Sequence, residues 1–348
     1  MGLAKYIARK SAYAVALLFV IIAFNFVLFQ ILPFVVSCPG ASYTDCLTRI
    51  YLPEQPPRGV TNVTQWQHEF RDRIFRAYGF DQPIGIRFLL YYQNMLTLNF
   101  GYNNAGAGVG GLAGPVLYVI QTRVPFTILL LGGSAVTSFI AGIGLGVVAS
   151  AKRGRLLDIS SLASLLFVNA LPVFFLGGML QLIQLGSTGT AYMPVGLSTF
   201  GKSGWDYYTG ELKSLFLPLV TLTIAGIGGV FLTQRAVMID TLGEDYIIMA
   251  RAKGVPERTV LYKHAFRNAI LPIVTAFALS IGFILSGAII TETVFLWPGL
   301  GHATFQAVLG FNFPFAQAIF YLISIMVLVS LLIADIAYGF LDPRISRS

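Results

Sequence analysis

Six long apolar runs alternate with shorter polar segments along the chain. Each run is close to the roughly 20 residues that a helix needs to cross the hydrocarbon core of a bilayer. The first run is longer than the apolar region of a secretory signal peptide and lacks an A-x-A-like cleavage site, so we expect it to be retained. The pattern predicts an all-α membrane protein with six transmembrane helices. They are Ser11–Val36, Pro125–Ser150, Ile159–Gln184, Phe216–Met238, Ala269–Val294 and Phe315–Leu341.

The composition strengthens this prediction. Charged residues make up 11% of the 348 residues, against roughly 25% in an average globular domain. A soluble fold needs charged side chains to cover its surface, and this chain has too few of them. The formal net charge of +8 is spread over short clusters between the apolar runs. A nucleic-acid-binding protein would instead collect its basic residues on one face.

The distribution of basic residues predicts the orientation, because short cytoplasmic connections carry an excess of Lys and Arg. The clusters are Lys5, Arg9 and Lys10; Lys152, Arg153 and Arg155; Arg235, Arg251, Lys253, Arg258, Lys263 and Arg267; and Arg344 and Arg347. The connections on the other side, Leu185–Leu215 and Phe295–Pro314, contain only two basic residues, Lys202 and Lys213. We therefore expect a multi-pass protein of the plasma membrane with both termini in the cytoplasm.

This topology divides the chain into four parts. We predict an N-terminal segment with the first helix (1–36), an extracytoplasmic loop (37–124), a five-helix core (125–341) with a cytoplasmic loop (239–268), and a cytoplasmic tail (342–348). The extracytoplasmic loop holds both cysteines, Cys38 and Cys46, and the sequon that begins at Asn62. An oxidising exterior favours a disulfide between the two cysteines, with two free thiols as the alternative. Asn62 is a candidate glycosylation site.

Two features of the spans bear on packing and function. The pair Gly142 and Gly146, and the pair Gly282 and Ser286, have the small-xxx-small spacing that lets helices approach closely in lipid. Glu292 lies near the outer end of the fifth span. Ionisable residues are costly in a membrane, so Glu292 is a candidate for a functional pathway, as is the polar Asn169 of the third span.

Catalytic constellations are not found. Gly196–Ser203 matches the letters of a phosphate-binding P-loop, but such a loop needs a strand before it and a helix after it. Its predicted extracytoplasmic side is poor in ATP, so we interpret it as a chance match. His68, His264 and His302 lack the spacing of a zinc site, and we predict neither a metal site nor a catalytic residue.

The cytoplasmic connection 239–268 has the most informative pattern. Good helix formers occupy Glu244–Lys253, Gly254 interrupts them, and Val255-Pro256 begins a second helical segment. This pattern predicts two short helices around a glycine turn. A docking element for a partner protein is favoured over a solvated loop, because spans rarely need two helices merely to be connected.

Several segments resemble the permease subunits of ABC importers, in particular those of the dipeptide, oligopeptide and nickel class. The loop segments Asp245–Gly254 and Glu257–Pro272 are similar to the EAA-type loop of that family. The other matching segments are Tyr78–Pro83, Asn99–Gly101, Ala151–Gly154 with Asp158, Glu292–Gly301 and Leu341–Arg344. Ile248 stands where the family has the glutamate that names the EAA motif, and Cys38–Arg58 lengthens the first loop.

The resemblance implies a type I permease bundle, paired with a second permease, two ATPases and an extracytoplasmic solute-binding protein. It implies peptides as cargo, with oligosaccharides or nickel as alternatives, and no cofactor of the chain's own, since the ATPases bind ATP and Mg²⁺. The ATPase-coupling residues it implies are Asp245, Tyr246, Met249, Ala250, Arg251, Ala252, Lys253, Gly254, His264 and Asn268.

Two other classes of function remain as alternatives. A stand-alone secondary transporter or channel would be indicated by an internal inverted repeat with broken helices, which we do not find in the sequence. An intramembrane enzyme would need one of the catalytic sets that are missing. Co-purification with ATPases separates an importer subunit from both.

Overall fold

The computed structural model describes residues 3–32, 62–103, 114–201, 203–282, 284, 288–310 and 312–341, and these are almost entirely helical. The helices are α1 (Leu3–Phe26), α2 (Val63–Tyr78), α3 (Ile84–Leu96), α4 (Val116–Thr127), α5 (Gly133–Ala151), α6 (Leu156–Ala170), α7 (Val173–Thr188), α8 (Val195–Ser198), α9 (Gly204–Leu242), α10 (Asp245–Ala252), α11 (Glu257–Thr259), α12 (Phe266–Ala269), α13 (Leu271–Gly282), α14 (Ile289–Val294), α15 (Leu300–Leu309) and α16 (Phe313–Leu341).

Short elements connect these helices. One π-helical turn, Val27–Ile31, extends α1; another, Ile128–Gly132, joins α4 to α5; a third, Val260–Ala265, joins α11 to α12. Strand β1 (Tyr102–Asn103) pairs antiparallel with β2 (Gly114–Pro115), Tyr102 opposite Pro115. The chain forms two compact units. The first comprises Met1–Phe126, Leu285–Ile289 and Pro298–Ser348, and the second comprises Thr127–Ile284 and Ile290–Trp297.

Four helical stretches of the described chain are long and apolar enough to cross a membrane. They are Tyr6–Ile31, Val116–Ala151, Gly204–Leu242 and Phe313–Leu332. The pair α6 and α7 is a fifth candidate, bent by 104°. The all-α membrane fold is thus confirmed. The count of six stays a prediction, because the predicted span Ala269–Val294 includes residues 283 and 285–287, which lie outside the described chain.

The predicted third span, Ile159–Gln184, is wrong as a single continuous helix. Helix α6 ends at Ala170, and Leu171 adopts an extended conformation with ψ of 136°. Pro172 explains the break, since proline disfavours a helical conformation in the residue before it and offers no N–H to continue the ladder. Helix α7 then begins at Val173 in a new direction.

Helix α9 is much longer than the predicted fourth span, Phe216–Met238. It has 39 residues, about 58 Å at the usual rise per residue, whereas the hydrocarbon core is about 30 Å thick. The helix carries no charged residue between Lys213 and Arg235. The length of this uncharged stretch matches the thickness of the hydrocarbon core. Its first turns, with Asp206 and Glu211, therefore extend beyond the apolar stretch.

The first unit is held by a large apolar core. Ile22 and Phe26 of α1 pack with Tyr91 and Met95 of α3 and with Phe315 of α16. A polar contact lies between α1 and α16, where the amide of Asn25 donates to the carbonyl of Gln317 at 3.1 Å. Interhelical hydrogen bonds of this kind contribute to association in lipid, where apolar burial adds little.

The second unit is built on close contact between α5 and α9. A Cβ added at Gly142 would lie 2.7 Å from Cβ of Val230, and one at Gly146 would lie 2.8 Å from Cβ of Gln234. Only glycine permits this approach. The close packing predicted from the Gly142–Gly146 spacing is confirmed. For the other predicted pair, Ser286 lies outside the described residues.

Candidate functional site

The segment from α10 to α12 is anchored to the C-terminal ends of two long helices. Ile247 of α10 and Val260 of the following π-helical turn are fully buried, and they pack against Val147 of α5 and Met238 of α9. Ala265 belongs to the same cluster. Each element is too short to be stable alone, so this apolar cluster fixes the segment in place.

The opposite face of α10 is open to solvent and apolar. Ile248 and Met249 are more than half exposed, at 54% and 57%, and Tyr246 is 41% exposed. Arg251 and Ala252 are exposed beside them. Ile248, at the position where the resembling family has glutamate, therefore adds apolar surface to this face. Such a surface at a helix that projects from a membrane bundle suits a protein partner.

A Schellman turn ends α10. The N–H of Gly254 donates to the carbonyl of Arg251 at 2.9 Å, and the N–H of Val255 donates to that of Ala250 at 3.2 Å. Gly254 has φ of +75°, a left-handed conformation, and it forms the turn predicted between the two helical segments. Val255 and Ala250 both pack on the apolar cluster, giving the hydrophobic contact that accompanies this motif.

Two side-chain contacts join the parts of the segment. The guanidinium of Arg251 donates Nη2–H to Oε1 of Glu257 at 2.6 Å and Nε–H to Oε2 at 3.1 Å. These bonds lower the pKa of Glu257 and raise the pKa of Arg251. Asn268 donates its amide to the hydroxyl of Tyr246 at 2.8 Å. Both pairs bridge the glycine turn, so they hold the two helical parts at one angle.

The remaining predicted coupling residues lie on the same segment. Asp245 occupies the first turn of α10, where a carboxylate favours the positive end of the helix dipole. Lys253 follows the helix and is exposed, and His264 is half-buried in the π-helical turn. The pairing of Glu257 with Arg251 was not predicted from the sequence, because a spacing of six residues fits no helical pairing rule.

The two predicted pathway residues are not brought together. Glu292 of α14 is fully buried, and the hydroxyl of Thr127 donates to its Oε1 at 3.2 Å. Asn169 lies instead beside α9, where its Cβ would be 3.3 Å from a Cβ added at Gly228. Among the described contacts none joins Asn169 to Glu292. Their roles in a pathway stay predictions.

The P-loop lookalike has a different local structure. Gly196 lies inside α8, a helix of four residues, and non-helical residues 190–194 precede it in place of a strand. The hydroxyls of Ser198 and Ser214 are 2.6 Å apart, which ties α8 to α9. Lys202 lies outside the described residues. This geometry agrees with a chance match.

The predicted modification sites have mixed outcomes. Asn62 caps α2, its Oδ1 accepting from the backbone N–H of Gln65 at 3.1 Å, and its glycosylation stays a prediction. Cys38 and Cys46 lie outside the described residues. The division at 36, 124 and 341 likewise stays a prediction.

Comparison with known proteins identifies the chain. Residues 142–347 match the family described as "Binding-protein-dependent transport system inner membrane component". The chain is 29% identical to the oligopeptide transport system permease protein AppB of Bacillus subtilis (strain 168), over 99% of each chain. It is 32% identical to the glutathione transport system permease protein GsiC of Escherichia coli (strain K12), over 84% of this chain and 90% of GsiC.

A third relative is the metal-staphylopine import system permease protein CntB of Staphylococcus aureus (strain Mu50), 32% identical over 83% of this chain and 85% of CntB. The family match covers more than half of the chain, and the relatives match between 83% and 99% of it. The chain therefore belongs to the family of inner-membrane components of binding-protein-dependent transport systems, the non-catalytic permease subunits of ABC importers.

Proposed function

We propose that this chain imports peptides as one of two permease subunits and that its ATPases dock on the exposed face of α10. The relatives named for oligopeptide and glutathione transport support the choice of cargo. A metal complex is the second candidate, because CntB is equally similar. The second permease, two ATPases and a solute-binding protein complete the assembly, with both termini of this chain in the cytoplasm.

The observation that carries the docking proposal is the two-sided character of α10. Ile247 is fully buried against the bundle, while Ile248 and Met249 are exposed. The Schellman turn and the Arg251–Glu257 pair connect α10 to the helix that follows and favour one angle between them. A rigid helix with one anchored face and one free apolar face can pass the movement of a partner into the bundle.

The mechanism follows from this anchoring. Closure of the ATPases displaces α10, and the apolar cluster of Ile247, Val260, Val147 and Met238 moves the inner ends of α5 and α9 with it. A packed bundle of this kind has discrete arrangements, so small displacements can be amplified into opening of the pathway. The chain supplies movement and a pathway, whereas ATP and Mg²⁺ are bound by the ATPases.

The test compares Met249→Asp with Phe200→Asp. Both side chains are exposed, Phe200 at 84%, but Phe200 lies in the connection predicted to be extracytoplasmic. A charge on the docking face should release the ATPases, so we expect Met249→Asp to abolish their co-purification and the uptake of labelled tri-alanine. Phe200→Asp should retain the ATPases.

The same preparations test the cargo. Vesicles that contain the wild-type complex and enclose ATP should accumulate labelled tri-alanine when the binding protein is supplied outside. Accumulation of radioactive nickel with its chelator, and not of the peptide, would favour the second candidate. Retention of the ATPases by Met249→Asp at wild-type levels would contradict the docking face.

A further inference from the structure

An ion pair joins α6 to α9, with its carboxylate buried and its arginine side chain 22% exposed. Asp158, in the first turn of α6, is 2% exposed. The guanidinium of Arg235 on α9 donates Nε–H to Oδ1 at 2.6 Å and Nη2–H to Oδ2 at 2.8 Å. The backbone N–H of Gly154 also donates to Oδ2, at 2.9 Å. The two parallel bonds of such a fork fix orientation as well as distance.

A second contact lies farther along the same helices. A Cβ added at Gly228 of α9 would lie 3.3 Å from Cβ of Asn169 and 3.3 Å from the carbonyl oxygen of Leu165. Gly228 precedes Arg235 by two turns, about 10 Å. Helix α6 therefore runs antiparallel along α9, and the ion pair secures its inner end.

The ion pair is close to the docking segment. Met238 follows Arg235 by less than one turn and is fully buried in the cluster with Ile247 and Val260. Beyond Leu171, α6 leads into α7 through the bend of 104°. On α7, a Cβ added at Gly177 would lie 3.0 Å from the ring of Phe295, next to α14. The broken pair α6–α7 thus reaches from the inner end to the segment that carries Glu292.

We infer that Asp158 and Arg235 are positioning residues that make the broken helix pair α6–α7 move with α9 during transport. The inference rests on the proposed function, in which the docking segment displaces the inner end of α9. Because the chain bends at Pro172, α6 could pivot about its contact with Gly228 unless its inner end is also held. The Arg235 fork holds it, because a rotation of α6 would break two charge-assisted bonds at once.

A purely structural role predicts a different response to substitution. Removing one partner of a buried ion pair leaves an uncompensated charge, which is strongly destabilising, whereas replacing both by uncharged residues of similar size is often neutral. If the two residues only balance each other's charge, replacing both of them together should leave transport intact. A pair that transmits movement is needed even when the fold is intact.

The experiment uses the assembled complex with its binding protein in vesicles. The variants are Asp158→Asn, Arg235→Met and the double variant; asparagine keeps an acceptor for Gly154, and methionine replaces the bulk of arginine. We expect each single variant to lower the thermal stability of the complex. The double variant should recover that stability, while tri-alanine taken up per ATP hydrolysed stays about tenfold below wild type, a typical coupling effect.

A matched control uses an exposed ion pair. On α2, Nε of Arg71 lies 3.7 Å from Oδ1 of Asp72, and the two side chains are 43% and 58% exposed. The double variant Arg71→Met and Asp72→Asn should leave peptide uptake per ATP unchanged. If the Asp158 and Arg235 double variant recovers stability and uptake together, the inference is overturned.

Arg235→Lys covers the case in which the double variant does not assemble. Lysine keeps the charge but cannot form the fork, so uptake per ATP should fall several-fold while the complex still assembles. If Arg235→Lys takes up as much tri-alanine per ATP hydrolysed as the wild type does, the inference is also overturned. Failure of the proposed function is a separate result, since the wild-type chain would then retain no ATPases or accumulate no tri-alanine.

Discussion

At the scale of single residues, Gly254 has the most specific conformational role. Its φ of +75° is in the left-handed region, and a Cβ there would have no described atom within 4 Å. The cost of a substitution therefore arises from the backbone conformation and not from a clash. Because the turn aims α10, a change in backbone conformation would redirect the exposed Ile248 and Met249.

We expect Gly254→Val to insert and assemble in the membrane but to lose peptide uptake. A β-branched residue in this conformation is strained by about 1–3 kcal/mol, which favours rearrangement of the turn. Gly254→Asn is the matched control, since asparagine tolerates the left-handed region better than other residues. Uptake and stimulated ATP hydrolysis at matched permease levels measure the effect. Normal coupling in Gly254→Val would remove the turn from the mechanism.

At the scale of elements, the packing of α5 on α9 supports both the docking segment and the Asp158–Arg235 ion pair. Gly142 and Gly146 occupy one face of α5 and contact α9, whereas Gly144 is exposed and has no described atom within 4 Å of an added Cβ. Substitutions of glycine on the two faces of α5 can therefore be compared directly. They share backbone conformation, so helix propensity affects both equally.

We expect Gly146→Val to destabilise the chain by about 1–3 kcal/mol, the usual cost of overpacking. Its side chain would meet Gln234 and the carbonyl of Phe231, forcing α5 and α9 apart. Gly144→Val should stay within about 0.5 kcal/mol of wild type, as exposed substitutions usually do. Thermal unfolding of the detergent-solubilised complex compares them. Equal stability of the two variants would contradict the packing described for Gly146.

At the scale of the whole molecule, the orientation in the membrane decides what each surface can bind. The proposed function requires the docking face of α10 to lie in the cytoplasm, where ATPases can reach it, and the predicted topology places the α8 region outside. Met249 and Phe200 are both well exposed, so cysteines at these positions would be accessible to a reagent. The two native cysteines, Cys38 and Cys46, must first be replaced by serine.

In cells that produce this chain without its ATPases, which would otherwise cover Met249, we expect a membrane-impermeant thiol reagent to label Phe200→Cys in intact cells and Met249→Cys only after the membrane is opened. The reason is the excess of basic residues in the connections on the Met249 side. Mass shift of the purified protein measures the labelling. Labelling of Met249→Cys in intact cells would reverse the topology and separate the docking face from the ATPases.

Local chemistry explains what could be predicted from the amino-acid sequence. The long apolar runs identify membrane helices because crossing the bilayer depends on length and hydropathy alone. The turn at Gly254 was predictable because the left-handed conformation is a property of one residue and its neighbours. The close approach of α5 to another helix could be predicted from the glycine spacing, but the identity of that helix, α9, could not.

Tertiary contacts decided the remaining features. Asp158 pairs with Arg235, 77 residues away, and Thr127 with Glu292, 165 residues away, and no periodicity joins positions so distant. The polar start of α9 is helical, so the apolar length underestimated that helix; α8 contacts it through the hydroxyls of Ser198 and Ser214, which are 2.6 Å apart. Proline at position 172 disfavours a continuous helix, but the 104° angle between α6 and α7 depends on how each of them packs. Contacts between distant segments exist only once the chain has folded, and they set the geometry on which transport depends.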